Sequence, residues 1–346
     1  MYRGNITFSL LLKYLQIILL SGFILYWGKD LFVPLCFGFL IAMILYPACK
    51  WLEEKKCPRS LAITLLLSIL SLLSVLLIWI LILEIQTFQK DLPELIKKIE
   101  LLTTDLQRWL TVYWNIPIDK QSNWFENVFS SITKDAGSLL GGTISITIKM
   151  LFLMFITPVF TVLFLFNRGT FVKVLELMVG ESLHKKLHEV LDKIIKTYFN
   201  YIKGMIAVYL IVGVLNSFGL LLLGIEHAIL FGMLTAVMTI VPYVGIIISA
   251  LLPISVAWLS SDSIWLPIGV IAVFGFVQYL EANLIFPMVV GAQLNINTWA
   301  SIIAIIIGGI LWGVSGMVLS LPFLAILKLA SDNLEELKPL NILISR

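Results

Sequence analysis

GMIAVYLIVGVLNSFGLLLLGIEHAILFGMLTAVMTIVPYVGIIISALLPISVAWLSS, residues 204–261, carries a single formally charged side chain, Glu226. Lysine and arginine stay absent as far as Leu327, and Asp262 and Glu281 are the only further acids on the way. A helix needs roughly 20 consecutive apolar residues to cross a bilayer, so this stretch alone holds more than one crossing. Working outward, further uncharged runs occupy 31–49, 60–83, 150–167, 263–280 and 282–327. Of the 346 residues 60% are hydrophobic and 13% charged, with a mean hydropathy of +1.00. Soluble domains carry about 25% charged residues, so a water-soluble fold has nowhere to put this apolar surface. Outer-membrane strands alternate in polarity over about ten residues, whereas these runs are continuously apolar. The sequence therefore predicts an all-α, polytopic helical membrane protein of about seven or eight spans. Some of those spans are broken or re-entrant, and amphipathic helices lie outside the membrane.

The bulk numbers exclude collagen, disorder and a secreted disulfide scaffold. A net charge of +3 gives no sign of nucleic-acid binding. Cys36, Cys49 and Cys57 are odd in number and lack metal spacing, so they read as small apolar core residues. Lys13 interrupts the first apolar stretch and no small-x-small cleavage site follows, which predicts a retained first helix from about Tyr14 to Gly28.

Charge placement sets the expected topology. The loop 50–59 holds Lys50, Lys55, Lys56 and Arg59 against Glu53 and Glu54. The segment 168–203 holds Arg168 and six lysines against four acids, and both segments fall in the cytoplasm by the positive-inside rule. Residues 84–135, with six basic and eight acidic side chains, suit the outer side, and the N-terminus is then cytoplasmic.

Within the outer segment Ile85, Phe88, Leu92, Leu95, Ile99, Leu102, Leu106, Trp109 and Tyr113 step by three and four, an apolar seam along one helical face. Asp91 and Pro93 predict a kink or a fresh start near Leu92. The seam needs a cover: a neighbouring subunit, the membrane surface or the same chain. Residues 183–202 form a second amphipathic helix, with Leu187, Val190, Leu191, Ile194, Ile195, Tyr198 and Ile202 on one face and lysines off it. It is expected at the interface, lysines toward anionic headgroups. His184 and His188 have the i, i+4 spacing of a metal pair but no third ligand, so no metal site is expected.

The apolar half is where function is expected. The run 227–261 is broken at Val241-Pro242-Tyr243-Val244-Gly245, and the run 282–327 at Gly308-Gly309, Gly313, Gly316 and Pro322. Such breaks free backbone polar groups, tolerated only inside protein or along a wet cavity, and broken helices frame the sites of many secondary transporters. The two breaks echo one another: Gly245-x-x-x-Ser249 then Pro253, and Gly316-x-x-x-Ser320 then Pro322. A repeated pair of hairpins is the corresponding hypothesis.

On these residues the chain resembles the autoinducer-2 exporter family over nearly its whole length. The resemblance rests on Leu222-Leu223-Gly224-Ile225 with Gly232, on Val241 to Gly245 with Pro253, and on Glu281-Ala282-Asn283 with Pro287 and Gly291. Gly308-Gly309, Gly313, Gly316 and Leu321-Pro322 complete it. It implies a permease of the bacterial cytoplasmic (inner) membrane that exports a small polar solute, with autoinducer-2 as the namesake. Some relatives are associated with exchange of sodium or lithium for protons. A homo-oligomer, with a pentamer as its form, is also implied. Similar proteins carry a basic residue where this chain has Met288 and Ala292, and a proline turn where it has Glu226-His227.

The expected organisation is N-terminal spans over 1–84, an outer helical segment over 85–145, and a fourth span with its amphipathic helix over 146–203. A transport core follows over 204–330, then a polar tail over 331–346. The candidate path for solute or ion comprises Glu281, Gln278, Asn283, Tyr243 and Pro242 with Gly245, Gly308, Gly309, Gly313 and Gly316. Glu281 leads because an ionisable group in a span is costly unless it faces a cavity or partner, and no basic residue lies within 204–327 to neutralise it. Glu226, His227 and Asp262 read as loop residues, and Asn216, Asn295 and Asn297 as helix glue or path lining. No phosphate-binding loop, nucleophile elbow or zinc motif is present, so no cofactor is expected and transport is gradient-driven. An enzyme would need paired acids or a nucleophile with its base, and Glu281 stands alone. A scaffold that binds partners through its outer helix is the remaining alternative.

Overall fold

A computed structural model describes residues 8–114, 143–179, 181, 184–241, 244–261, 263–290, 296–334 and 337–345. The N-terminal part comprises α1 (Phe8–Trp27), α2 (Lys29–Glu54), α3 (Arg59–Trp114), α4 (Thr143–Phe166) and α5 (Arg168–Val179). Next come α6 (His184–Leu222), α7 (Ala228–Met238), α8 (Val244–Ser260) and α9 (Trp265–Leu280). A π-helical turn (Glu281–Ile285) leads into α10 (Phe286–Val289), followed by α11 (Thr298–Trp312), α12 (Val314–Ser331) and α13 (Lys338–Ile344). Among the described residues five helices are long and apolar enough to cross a membrane, or six if the pair meeting at 60° around Asn167 is one broken span. The shorter apolar helices α7, α8 and α11 make up the broken segments.

Two expectations about breaks give way to continuous helices. α3 runs unbroken through Pro93 for 56 residues, about 84 Å at 1.5 Å per residue, so Asp91-Pro93 starts no new helix. Residues 183–202 likewise form no separate interfacial helix. From His184 they run on into the span as one helix of 39 residues. Val190, Ile194 and Tyr198 are buried against Leu40 and Met43 of α2 and Leu319 and Leu329 of α12, while Lys185, Lys186, Lys193 and Lys196 stay exposed. The apolar face is thus covered by protein. At the end of α3, by contrast, Trp109 and Tyr113 of the outer seam are 52% and 72% exposed.

Small residues let the helices approach closely. A Cβ on Gly38 of α2 would lie 2.7 Å from the Phe160 Cβ of α4, and Ala42, Cys49, Ile63, Leu67 and Leu165 close the core between α2, α3 and α4. At the far end of α2, Arg168 pairs with Glu53, and an Arg59 Nη2–H donates to the Leu165 carbonyl. α6 runs through the middle of the molecule and packs on α2, α7, α9 and α12.

α7 with α8, and α11 with α12, form two helical hairpins. Their first limbs have 11 and 15 residues, about 17 and 23 Å, short of the roughly 30 Å hydrocarbon thickness. The C-terminal helix α13 folds back on the second hairpin: the Asn297 amide donates to the Ile344 carbonyl at 2.8 Å. Ala300, Leu324 and Ile344 pack together there.

Candidate functional site

Each hairpin depends on a glycine at its backbone crossing. A Cβ on Gly245 would lie 1.7 Å from the Met238 carbonyl oxygen, and one on Gly316 would lie 1.9 Å from that of Gly308. Gly308 meets the Gly316 oxygen at 2.3 Å in the same sense. Gly309 sits differently, facing only the Met317 side chain. Gly313 joins α11 to α12 at φ 62°, ψ −141°, backbone angles that only glycine adopts without strain. Pro242 and Tyr243 of the first tip lie outside the described residues.

The echo between the hairpins extends to side-chain bonds. Ser249 donates to the Ile246 carbonyl at 3.0 Å, and Ser320 to the Met317 carbonyl at 2.7 Å. In each hairpin the acceptor is the residue directly after the crossing glycine.

Glu281 opens the π-helical turn, and the sequence explains the distortion. Pro287 has no N–H, and in a regular helix its ring would press on the carbonyl four residues earlier, that of Asn283; widening to a π turn relieves that clash. Val277 and Ile285, four residues either side of Glu281, are buried on α6 against Tyr201, Val208 and Val212. Tyr209 of α6 is close enough to Glu281 for the two groups to interact electrostatically. The half-buried Glu281 keeps Oε2 away from solvent with no hydrogen-bond partner among the described residues, and Gln278 Oε1, one turn earlier, is in the same position. Asn216 of α6 is fully buried; its Nδ2 donates to the Val212 carbonyl, and its Oδ1 is the third orphaned oxygen of this half of the molecule. Asn283 points elsewhere: it is exposed and donates to the Tyr279 carbonyl at 2.9 Å.

The ten path candidates thus fall into separate groups. Gln278 and Glu281 share a face against α6, Gly308 and Gly316 meet in the second hairpin, and Gly245 secures the first. Among the described residues α9 packs on α6 and α8, the π turn packs on α6, and neither reaches the second hairpin. Instead, Gly309 and Gly313 line a cavity of about 370 Å³ shared with α1 and α2. Sequence reading missed those partners, because Tyr26, Lys29 and Asp30 lie some 280 positions from the glycines they meet.

Other expectations resolve locally. Glu226 is exposed in the turn between α6 and α7, where His227 takes a φ of 58°. His184 and His188 both turn toward Glu176 of α5, the second at 2.7 Å from its carboxylate. Asn297 caps α11 by accepting from the Trp299 amide, while Asp262, Gly291, Ala292 and Asn295 lie outside the described residues.

A bundle of apolar spans with two glycine-locked hairpins, each with a short first limb, and an acid within a span has the architecture of a membrane permease. The particular family follows from comparison: residues 15–336 match the AI-2E family transporter model, and the chain belongs to that family. It is 27% identical over 314 residues to YueF of Bacillus subtilis (strain 168), covering 87% of this chain and 83% of that protein, which is named as a candidate transport protein. It is 23% identical over 322 residues to the AI-2 transport protein TqsA of Escherichia coli (strain K12), covering 91% and 89%. The protein is thus a multi-pass membrane permease with bacterial relatives, and the family and relatives' names indicate transport rather than catalysis.

Proposed function

We propose that this permease exports a small polar, hydroxylated solute of the autoinducer-2 type from the bacterial cytoplasm, driven by an ion gradient. The observation that carries the reading is the pair of hairpins with short first limbs in a chain of this family. A break in a helix, such as that at Gly313, offers backbone groups that can replace the hydration of a polar solute. The relative named as an AI-2 transport protein supports the choice of solute class. The lysine-rich ends of α2 and α6 support a cytoplasmic-membrane orientation with the N-terminus inside. The exposed Trp109 and Tyr113 on α3 support assembly into a homo-oligomer.

A second reading, exchange of sodium or lithium for protons, is favoured by one specific feature. Among the described residues Glu281 Oε2, Gln278 Oε1 and Asn216 Oδ1 are acceptors without a hydrogen-bond partner, and buried acceptors call for a proton or a cation. Purified protein in proteoliposomes under imposed sodium and proton gradients separates the two. A labelled autoinducer-2-like solute should move without any sodium response of an internal pH dye. Dye response to sodium alone, with no solute flux, would replace export by antiport.

A further inference from the structure

The cavity at the tip of the second hairpin has the make-up of a ligand site. It lies where the turn between α1 and α2 meets the turn at Gly313, and it is lined by Tyr26, Lys29, Asp30, Trp312 and Ser315 among others. Its volume of about 370 Å³ falls within the roughly 300–1,000 Å³ of small-molecule sites.

Three observations define what it would hold. First, Lys29 and Asp30 bring one donor-only cation and one acceptor carboxylate to the same rim. The Lys29 ammonium sits 5.8 Å from the centre of the Tyr26 ring. Their charges cancel, so a net anion or cation is attracted by one and repelled by the other. A neutral solute bearing several hydroxyls can accept from Lys29 and donate to Asp30.

Second, the Trp312 ring is fixed, because its Nε1–H donates to the Leu25 carbonyl at 2.9 Å. A fixed aromatic wall suits the C–H face of a small ring, and its indole donor is already satisfied. Third, the helix is interrupted at the tip by the single residue Gly313. The backbone bonds at it run from the Gly313 amide to Gly309 and from the Met317 amide to Gly313. Ile310 and Leu311, both lining the cavity, belong to the last turn of α11, where helix carbonyls run out of intrahelical donors.

We infer that this cavity binds a neutral polyhydroxylated small molecule, between the Lys29–Asp30 pair on one side and Trp312 with Ser315 on the other. The inference rests on the permease reading for its biological sense, since the site stands at one end of the second hairpin and α2. It stands apart from Glu281, so ligand binding here and ion coupling there are separable by mutation.

The test uses the full-length protein in detergent and equilibrium dialysis with radiolabelled D-ribose, and labelled glutamate and spermidine as charged controls. Saturable ribose binding is expected, weakened at least tenfold in Asp30→Asn and in Lys29→Met. Both residues are exposed, so these variants should fold, and an unchanged thermal midpoint would verify it. Ser315→Trp, which fills the space, should abolish binding, and Glu281→Gln should leave it intact. Absence of saturable ribose binding, equal binding of the charged controls, or full binding by both rim variants would overturn the site. If ribose binds as expected while no solute crosses a proteoliposome membrane, the cavity stands and the export reading falls.

Discussion

The two hairpins share a backbone device but differ in what holds them. Both have a short first limb, a glycine crossing near the start of the second limb, a serine four residues later and then a proline. The first is embedded in apolar packing: Phe231, Val256 and Ala257 join Leu220 of α6 and Val270 and Phe274 of α9 in one buried cluster. The second packs on α2 and α6 through Leu319 and Leu329 and on α13 through Ala300 and Leu324, and it carries point ties in addition. Trp312 is tied to α1, Lys328 pairs with Asp332, and Asp332 accepts from Asn341 of the C-terminal helix at 2.7 Å. A repeated local motif thus recurs in two surroundings, and the second turn opens onto a cavity shared with α1 and α2.

The sharpest way to break this comparison is to fill the crossings. Gly245→Ala and Gly316→Ala should each destabilise the protein by at least about 3 kcal/mol, because the clashing atoms are backbone oxygens that cannot move aside. Gly309→Ala, beside the equally intolerant Gly308, should cost less than about 1 kcal/mol, since it meets only the flexible Met317 side chain. Thermal unfolding in detergent checks these three together with Gly308→Ala, and equal losses at 308 and 309 would contradict the crossing geometry.

Next comes the turn itself. Gly313→Ala meets no atom within 4 Å, so its cost comes from backbone strain alone, on the order of 1–3 kcal/mol. If its melting matched that of the unsubstituted protein, the tip would be relaxed into another conformation.

The point attachment gives a middle-sized effect. Asp332→Asn leaves the Lys328 ammonium, 4% exposed, without its carboxylate. Because Asp332 is partly solvated, water offsets part of the loss, leaving about 1–2 kcal/mol. Limited proteolysis should then cut earlier around α13, and unchanged protection there would detach the strap from the hairpin. The smallest effects belong to the paired serines. Ser249→Ala and Ser320→Ala each remove one hydroxyl bond, worth about 0.5–1.5 kcal/mol, and similar values by thermal unfolding would support the repeat.

Much of this was legible in the sequence because glycine and proline report backbone geometry directly. Gly245, Gly313 and Gly316 mark the turns and crossings, and Pro287 marks the distortion after Glu281. Amphipathic pattern is less informative: the face of Val190, Ile194 and Tyr198 shows only that something apolar covers it, and the cover is α2 and α12 rather than lipid. A single proline does not decide a break either, since α3 continues through Pro93. The cavity was not readable, because Lys29 and Asp30 look like an ordinary polar turn until the fold brings Trp312 beside them.

We propose that Glu281 couples solute movement to protons, because it is the acid within the otherwise uncharged span 263–289; flux of a labelled autoinducer-2-like solute from proteoliposomes across a range of imposed pH gradients tests this most directly. The unsubstituted protein should show flux that varies with the gradient, and Glu281→Gln should lose at least tenfold of that flux together with its pH dependence. Full flux with an unchanged pH profile in Glu281→Gln would contradict the claim.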